Sequence, residues 1–135
     1  MSNRAFLDAS FWIAYRDERE DFHPEAKRIL SEVFRKRTRI LTTFPVLCEI
    51  HAQFCRSPKK RRLVLEDFRD NPVVGIEEVT PQDQQDAFEV LRRQADKSYS
   101  LCDATSFVVM RRMGLKQVLS LDGHFRQFGE FEIIS

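Results

Sequence analysis

Ala5-Phe6-Leu7-Asp8-Ala9-Ser10-Phe11-Trp12-Ile13-Ala14-Tyr15 compresses a strand, a turn and the start of a helix into eleven residues. The run Ala5-Phe6-Leu7 is apolar without alternation, which predicts a strand over residues 5–8 buried on both faces. Asp8 ends that strand. Ser10 can then open a helix whose body is Phe11 to Tyr15, ahead of the charged stretch Arg16 to Asp21. A short strand buried on both sides and passed straight to a helix fits a parallel sheet covered by helices.

The rest of the chain continues the alternation. From Pro24 to about Phe34, Ala26, Ile29, Leu30, Val33 and Phe34 recur at helical spacing, with Glu25, Lys27, Arg28 and Glu32 opposite. Arg39-Ile40-Leu41-Thr42 reads as the second strand. Thr43 and Pro45 form the cap region of a helix reaching Arg56. Ser57-Pro58 repeats that signal for a helix over Lys59 to Arg69, and Asn71-Pro72 stops it. Val73-Val74-Gly75-Ile76 begins a third strand that reaches Val79. Thr80-Pro81-Gln82-Asp83 then predicts a capping box and a helix to about Ala95 that buries Phe88 along with Ala87, Val90 and Leu91. After the polar link Asp96 to Ser100, Asp103 to Met113 reads as a helix packed on the sheet, with Gly114 as its C-cap residue. Val118 to Leu121 and Phe131 to Ile134 complete five strands. The class is α/β, as a single domain over residues 1–135, since 135 residues with 42% hydrophobic content suffice for one core.

Four carboxylates stand where these elements end or begin. Asp8 closes the first strand, Asp122 closes the fourth, and Glu49 and Asp103 sit early in apolar helical runs. The carboxyl ends of strands in an open parallel sheet form the crevice where ligands bind. Acids gathered there from distant positions predict one pocket that holds divalent cations. Magnesium and manganese take oxygen ligands. Phosphodiester hydrolysis needs charge neutralised on phosphate oxygens and a water made nucleophilic, and such ions serve both needs. Ser10, Thr43 and Ser120 are candidates to tune the site through hydrogen bonds to the carboxylates or to bound water.

Each acid also has a plainer role open to it. Asp8 could cap the helix near Ser10, Asp103 could favour its own helix N-terminus, Asp122 could serve the turn at Gly123, and Glu49 could be an exposed helix residue. The joint pattern is more specific than its parts. Charge alone does not decide, because 22 bases against 21 acids give a net charge of +1. With the four acids neutralised by metal, 17 acids face 22 bases, and the surface becomes basic enough to attract phosphate.

On Phe6-Leu7-Asp8-Ala9-Ser10, Thr43-Phe44-Pro45-Val46-Leu47-Cys48-Glu49, Leu101-Cys102-Asp103-Ala104-Thr105 and Leu119-Ser120-Leu121-Asp122-Gly123-His124-Phe125 the chain resembles the PIN-domain ribonucleases. The likeness is strongest to the VapC-type toxins of bacterial toxin–antitoxin pairs, and it spans almost all residues in matching order and spacing. It implies a PIN-like three-layer α/β/α sandwich with a five-stranded parallel sheet in the order 3-2-1-4-5. It implies Asp8, Glu49, Asp103 and Asp122 as catalytic metal ligands for one or two Mg2+ or Mn2+ ions, and metal-dependent endoribonuclease activity on RNA. A VapB-type antitoxin that blocks the site and a homodimer are implied with it. Many members carry a second acid two residues beyond the position of Asp122, where this chain has His124, and a threonine at the position of Ser120. His124 is read as a loop histidine, or as a group that contacts phosphate or orients water. Arg126 is a candidate to position RNA phosphate. Two other classes stay open: a catalytically silent binding or structural subunit of the same fold, and a DNA-directed or other metal-dependent phosphoryl hydrolase.

Cys48, His51 and Cys55 share a helix face at i, i+3 and i+7, but zinc wants a fourth ligand and cysteine is commonly buried as a small apolar residue, so packing rather than metal binding is expected. Lys59-Lys60-Arg61-Arg62 is expected to be a solvated helix face that can contribute to RNA binding. Trp12 and Tyr15 are expected to fill a helix face or a subunit contact rather than stack on bases. Three cysteines cannot all pair within one chain, and no apolar run approaches the ~20 residues needed to cross a bilayer. A soluble protein of a reducing cytoplasm, with no membrane partner, is the expectation.

Overall fold

The computed structural model describes residues 3–70 and 72–135. Its centre is the stretch that opens the sequence. Strand β1 (Arg4–Leu7) pairs in parallel with β2 (Arg39–Thr43) on one side and β4 (Gln117–Leu119) on the other. Strand β3 (Val74–Glu77) lies beyond β2 and β5 (Glu132–Ile133) beyond β4, so the sheet runs β3-β2-β1-β4-β5, all parallel. Ala5, Phe6 and Leu7 are wholly covered. Successive strand side chains point to opposite faces, so three covered residues in a row require packing on both sides of the sheet.

Among the described residues that packing comes from seven α-helices: α1 (Ala9–Arg16), α2 (His23–Arg35), α3 (Phe44–Phe54), α4 (Pro58–Leu65), α5 (Pro81–Arg93), α6 (Leu101–Met113) and α7 (Gly123–Phe128). The chain steps outward from β1 to β2 to β3, then crosses back to β4. Right-handed crossovers in these two opposite directions put the connecting helices on opposite faces. Accordingly α1 to α4 pack among themselves and α5 to α7 among themselves. The direction reverses between β1 and β4, and in sheets of this kind the ligand crevice opens at the carboxyl ends of the strands flanking such a reversal. The residues that leave those two strands are Asp8 and the segment Ser120–Asp122.

Several boundaries differ from expectation for identifiable reasons. The fourth strand stops at Leu119 instead of Leu121, because the N–H groups of Leu121 and Asp122 donate to serine hydroxyls rather than to a neighbouring strand. Leu121 is consequently exposed. The predicted helix to Arg69 is α4 followed by a π-helical turn, Glu66–Asp70, which carries Asp67 into the interior. Of the Asn71-Pro72 stop, Asn71 lies outside the described residues. The third strand ends at Glu77 before the Thr80/Asp83 capping box, whose two hydrogen bonds are both present. Phe88 is exposed because the buried stripe of α5 runs through Asp83, Ala87 and Val90, one position to its side. Gly114 caps α6 in the left-handed conformation, at φ 69°.

Helix α7 has no counterpart in the sequence reading. Its six residues are held by tertiary aromatic packing: Phe107 of α6 stacks on Phe128 at 4.3 Å and meets Phe125 edge-on at 5.0 Å. Trp12 and Tyr15 fill a helix face as expected. Trp12 is fully buried against Phe68, with ring centroids 5.6 Å apart.

Candidate active site

Asp8 is still tied to the sheet, its N–H donating to the Leu119 carbonyl at 3.0 Å. Its side chain makes no cap to α1. Instead Oδ2 accepts two hydroxyls, from Ser10 at 2.7 Å and from Ser120 at 3.0 Å. Each serine oxygen accepts a backbone N–H in turn, Ser10 from Leu121 at 2.9 Å and Ser120 from Asp122 at 3.0 Å. The two serines therefore orient Asp8 and fasten the segment after β4 to it. Asp122 is placed by this connection.

Asp103 and Asp122 both take the capping roles that the sequence offered them. Asp103 completes a capping box with Ser100, accepting its N–H on Oδ2 at 3.0 Å, and Asp122 caps α7 by accepting the His124 N–H on Oδ1 at 3.0 Å. Among the described residues the protein hydrogen bonds fall on Oδ2 of Asp8 and Asp103 and on Oδ1 of Asp122. One oxygen of each stays available. Glu49 is exposed on α3, near enough to the Cys102 thiol of α6 for each to act on the other's ionisation.

Asp8 and Glu49 both feel the charge of the other acids. Burial raises the Asp8 carboxyl above its ordinary range, the two serine hydroxyls oppose the shift, and Asp122 and Asp103 add to it. Burial also raises Glu49, the Cys102 thiol opposes this, and Asp8, Asp103 and Asp122 push it further. The thiol of Cys102 is driven far up by its own burial and by Glu49. Among the described residues no lysine or arginine forms a salt bridge to any of the four. A crevice with this much unbalanced negative charge, built of oxygen donors with free lone pairs, fits a divalent cation. Donor atoms of Asp103, Asp122 and His124 lie within 4.8 Å of one another.

Of the supporting residues, Ser10 and Ser120 contact Asp8 directly. Thr43 does not. Continuing the Phe6↔Leu41 register places it beside Asp8, but its Oγ1 is buried without a partner among the described residues. The hydroxyl that does join the strands is that of Thr42, donating to the Leu7 carbonyl at 2.7 Å. His124 is no loop residue. It lies on α7 with Nδ1 2.7 Å from Asp103 Oδ2. Arg126 is exposed and lines a depression with Ser120, Leu121 and Asp122. Ser98, Ser100 and Cys102 were missed, since a serine or thiol near a helix start carries no signal until its distant partner is known. Cys48 and Cys55 are exposed, against the expectation that they pack inside, because the buried side of α3 runs through Val46, Ile50 and Phe54. Lys60 departs from the solvated run, reaching Asp17 at 3.1 Å with only 13% of its side chain exposed.

The PIN-domain family model matches residues 5–130, a span that contains all four acids. The chain belongs to the PIN-domain family. It is 34% identical over 129 residues to the 23S rRNA-specific endonuclease VapC20 of Mycobacterium tuberculosis, strains CDC 1551 / Oshkosh and H37Rv, covering 95% of this chain and 96% of theirs. The crystal structure of M. tuberculosis VapC20, described as a toxin that cleaves the sarcin–ricin loop, superposes with a TM-score of 0.85 at 32% identity, over 97% of this chain and 99% of that one. VapBC2 from Rickettsia felis, bound to promoter DNA, matches at a TM-score of 0.67 and 14% identity, over 96% of each chain. FitAcB from Neisseria gonorrhoeae matches at 0.71 and 10%, over 97% of this chain and 96% of that one. These last two share the fold. The five-stranded sheet order is thus a family property that the residues of this PIN domain reproduce.

Proposed function

We propose that this PIN domain is a metal-dependent endoribonuclease, the toxin of a VapBC-type pair, and that its substrate is large-subunit ribosomal RNA. The observation that carries the reading is that Asp103, Asp122 and His124 bring donor atoms within 4.8 Å of one another at the crevice that Asp8 enters from β1, with Asp8 and Glu49 raised by the same acids and, among the described residues, no lysine or arginine bridged to any of the four. Near-full-length identity to rRNA endonucleases supports the substrate. A divalent ion, Mg2+ or Mn2+, would be held by those four carboxylates and would supply positive charge against the phosphate oxygens and acidify an attacking water. The protein's own part is positional. Ser10 and Ser120 fix the Asp8 carboxylate, Ser100 fixes Asp103, and the Asp122 backbone is pinned to Ser120, so the ligands need no rearrangement when the phosphate arrives. Arg126 beside Asp122 is placed to meet a neighbouring phosphate of the strand.

The partners follow the same reading. An antitoxin of the VapB type and a second copy of the chain would cover the exposed apolar side chains Phe44, Leu65, Ile76, Phe88 and Leu101, which otherwise face water. Three free cysteines suit a reducing cytoplasm, and among the described residues no helix is long and apolar enough to cross a membrane. To test the activity, purified ribosomes and total RNA are incubated with the protein in Mn2+, in Mg2+ and in EDTA, and new ends are mapped by sequencing. Discrete cuts in 23S rRNA that disappear in EDTA are expected. Cuts that persist in EDTA would remove the metal, and cuts confined to other RNAs would move the substrate. The double change Ser10→Ala/Ser120→Ala, which leaves all four acids in place, should lower kcat about 10–100-fold with little change in KM. Unchanged single-turnover rates would show that the serines do not orient Asp8.

A further inference from the structure

Among the described residues, His124 brings the one nitrogen donor into the acidic crevice. Its Nδ1 lies 2.7 Å from Asp103 Oδ2 and 3.4 Å from Asp122 Oδ1, so the ring edge stands between two carboxylates from different elements. The position is built on three sides. The His124 N–H donates to Asp122, Tyr99 packs edge-on against the imidazole at 5.4 Å, and Ser98 Oγ lies 3.4 Å from Nε2. An imidazole that binds a metal offers one nitrogen as a lone pair and donates the other N–H to a nearby acceptor. Here the second nitrogen has that acceptor in Ser98. With the proton on Nε2, Nδ1 is a lone pair directed at the space shared with Asp103 and Asp122. With the proton on Nδ1, the ring donates to Asp103 Oδ2.

We propose that His124 Nδ1 is itself a ligand, with Asp103 and Asp122, of a divalent ion in this site, and that this nitrogen makes the site select transition-metal ions over Mg2+. The inference rests on the metal-dependent reading above and adds the identity of one ligand and the selectivity that follows. Mg2+ is hard, holds its water shell and takes oxygen. Imidazole nitrogen favours the transition ions, increasingly along the series from Mn2+ through Co2+ to Ni2+. Ser98 and Tyr99 are then positioning residues, one setting the tautomer and the other the ring plane.

Two measurements on the full chain test this. Calorimetric titration with Mg2+, Mn2+ and Co2+ compares the wild type with His124→Asp and Ser98→Ala, and pulsed electron paramagnetic resonance of the Mn2+-loaded wild type looks for nitrogen-14 coupling from a directly bound imidazole. The Co2+:Mg2+ affinity ratio should fall about tenfold or more in His124→Asp, which keeps an oxygen donor for Mg2+. Ser98→Ala should weaken Co2+ binding about 10-fold while keeping the nitrogen signal. The resonance experiment needs no variant, so a misfolded substitution cannot obscure it. Bound Mn2+ without nitrogen coupling, or an unchanged ratio in folded His124→Asp, overturns the assignment of His124 and leaves the nuclease reading standing. Failure of the wild type to bind any of the three ions overturns both.

Discussion

Replacing Asp8 by asparagine should abolish RNA cleavage and at the same time raise the melting temperature of the metal-free protein. The two effects share one cause. Asp8 is only 5% exposed and lies near Asp103 and Asp122, with no lysine or arginine bridged to any of the group among the described residues. Asparagine keeps an oxygen able to accept both serine hydroxyls, so the local hydrogen bonds survive while the buried charge is removed. The Asp8 carboxyl is raised in the folded state, so the native protein holds that proton more tightly than the unfolded chain does. Stability contributed by this group is therefore greatest below the unfolded carboxyl range and is lost as pH rises through the folded value. At neutral pH the full cost is present, and Asp8→Asn should melt a few degrees higher in EDTA. In acid, where Asp8 is already protonated, the gap should close. Cleavage should fall on the order of 10³-fold, several kcal/mol of transition-state stabilisation, because a ligand carboxylate is gone. Thermal melts in EDTA at neutral and acidic pH, paired with rRNA cleavage, check both halves. An active Asp8→Asn protein removes Asp8 from the site, and one that melts lower in EDTA at neutral pH contradicts the charge-crowding account.

Most of the sheet, and the placing of Asp8 and Asp122 just beyond strand ends, was legible because the signals are local. Ala5-Phe6-Leu7 lacks alternation, Thr80 and Asp83 have capping-box spacing, and acids at strand ends fall where a parallel sheet opens. What escaped reading depends on partners far away in the chain. Helix α7 is too short for periodicity to mark, and forms because Phe125 and Phe128 meet Phe107. With it went the position of His124, which depends on an Asp103 contact across 21 residues. The strand-joining role of Thr42 was equally invisible, because which hydroxyl meets the Leu7 carbonyl is a matter of strand register. Asp67 gave no sign of being buried, since its partners Trp12 and Arg16 are 55 and 51 residues distant.

That buried carboxylate carries the second large effect, which should appear in stability rather than in catalysis. Asp67 Oδ2 accepts the Trp12 indole N–H at 3.0 Å and Arg16 Nε at 2.8 Å, while Oδ1 takes Arg16 Nη2 at 2.6 Å. The side chain of Asp67 is 7% exposed and that of Arg16 24%, so the pair is screened from water far more than a surface bridge. Asp67→Ala would strand a guanidinium and an indole N–H together, at a cost of about 3 kcal/mol in urea unfolding. Arg16→Met/Asp67→Leu should recover most of that loss, because no charge is then left without a partner. The bidentate contact joins the last residue of α1 to the π-helical turn, whereas Ser10 meets Asp8 in the first turn of α1, at the opposite end of the helix. Below its melting range Asp67→Ala should therefore cleave RNA at nearly the wild-type rate, the mirror image of Asp8→Asn. A loss under about 1 kcal/mol would show that the pair adds little to the fold, and a kcat that falls below the melting range would show that it also supports the site.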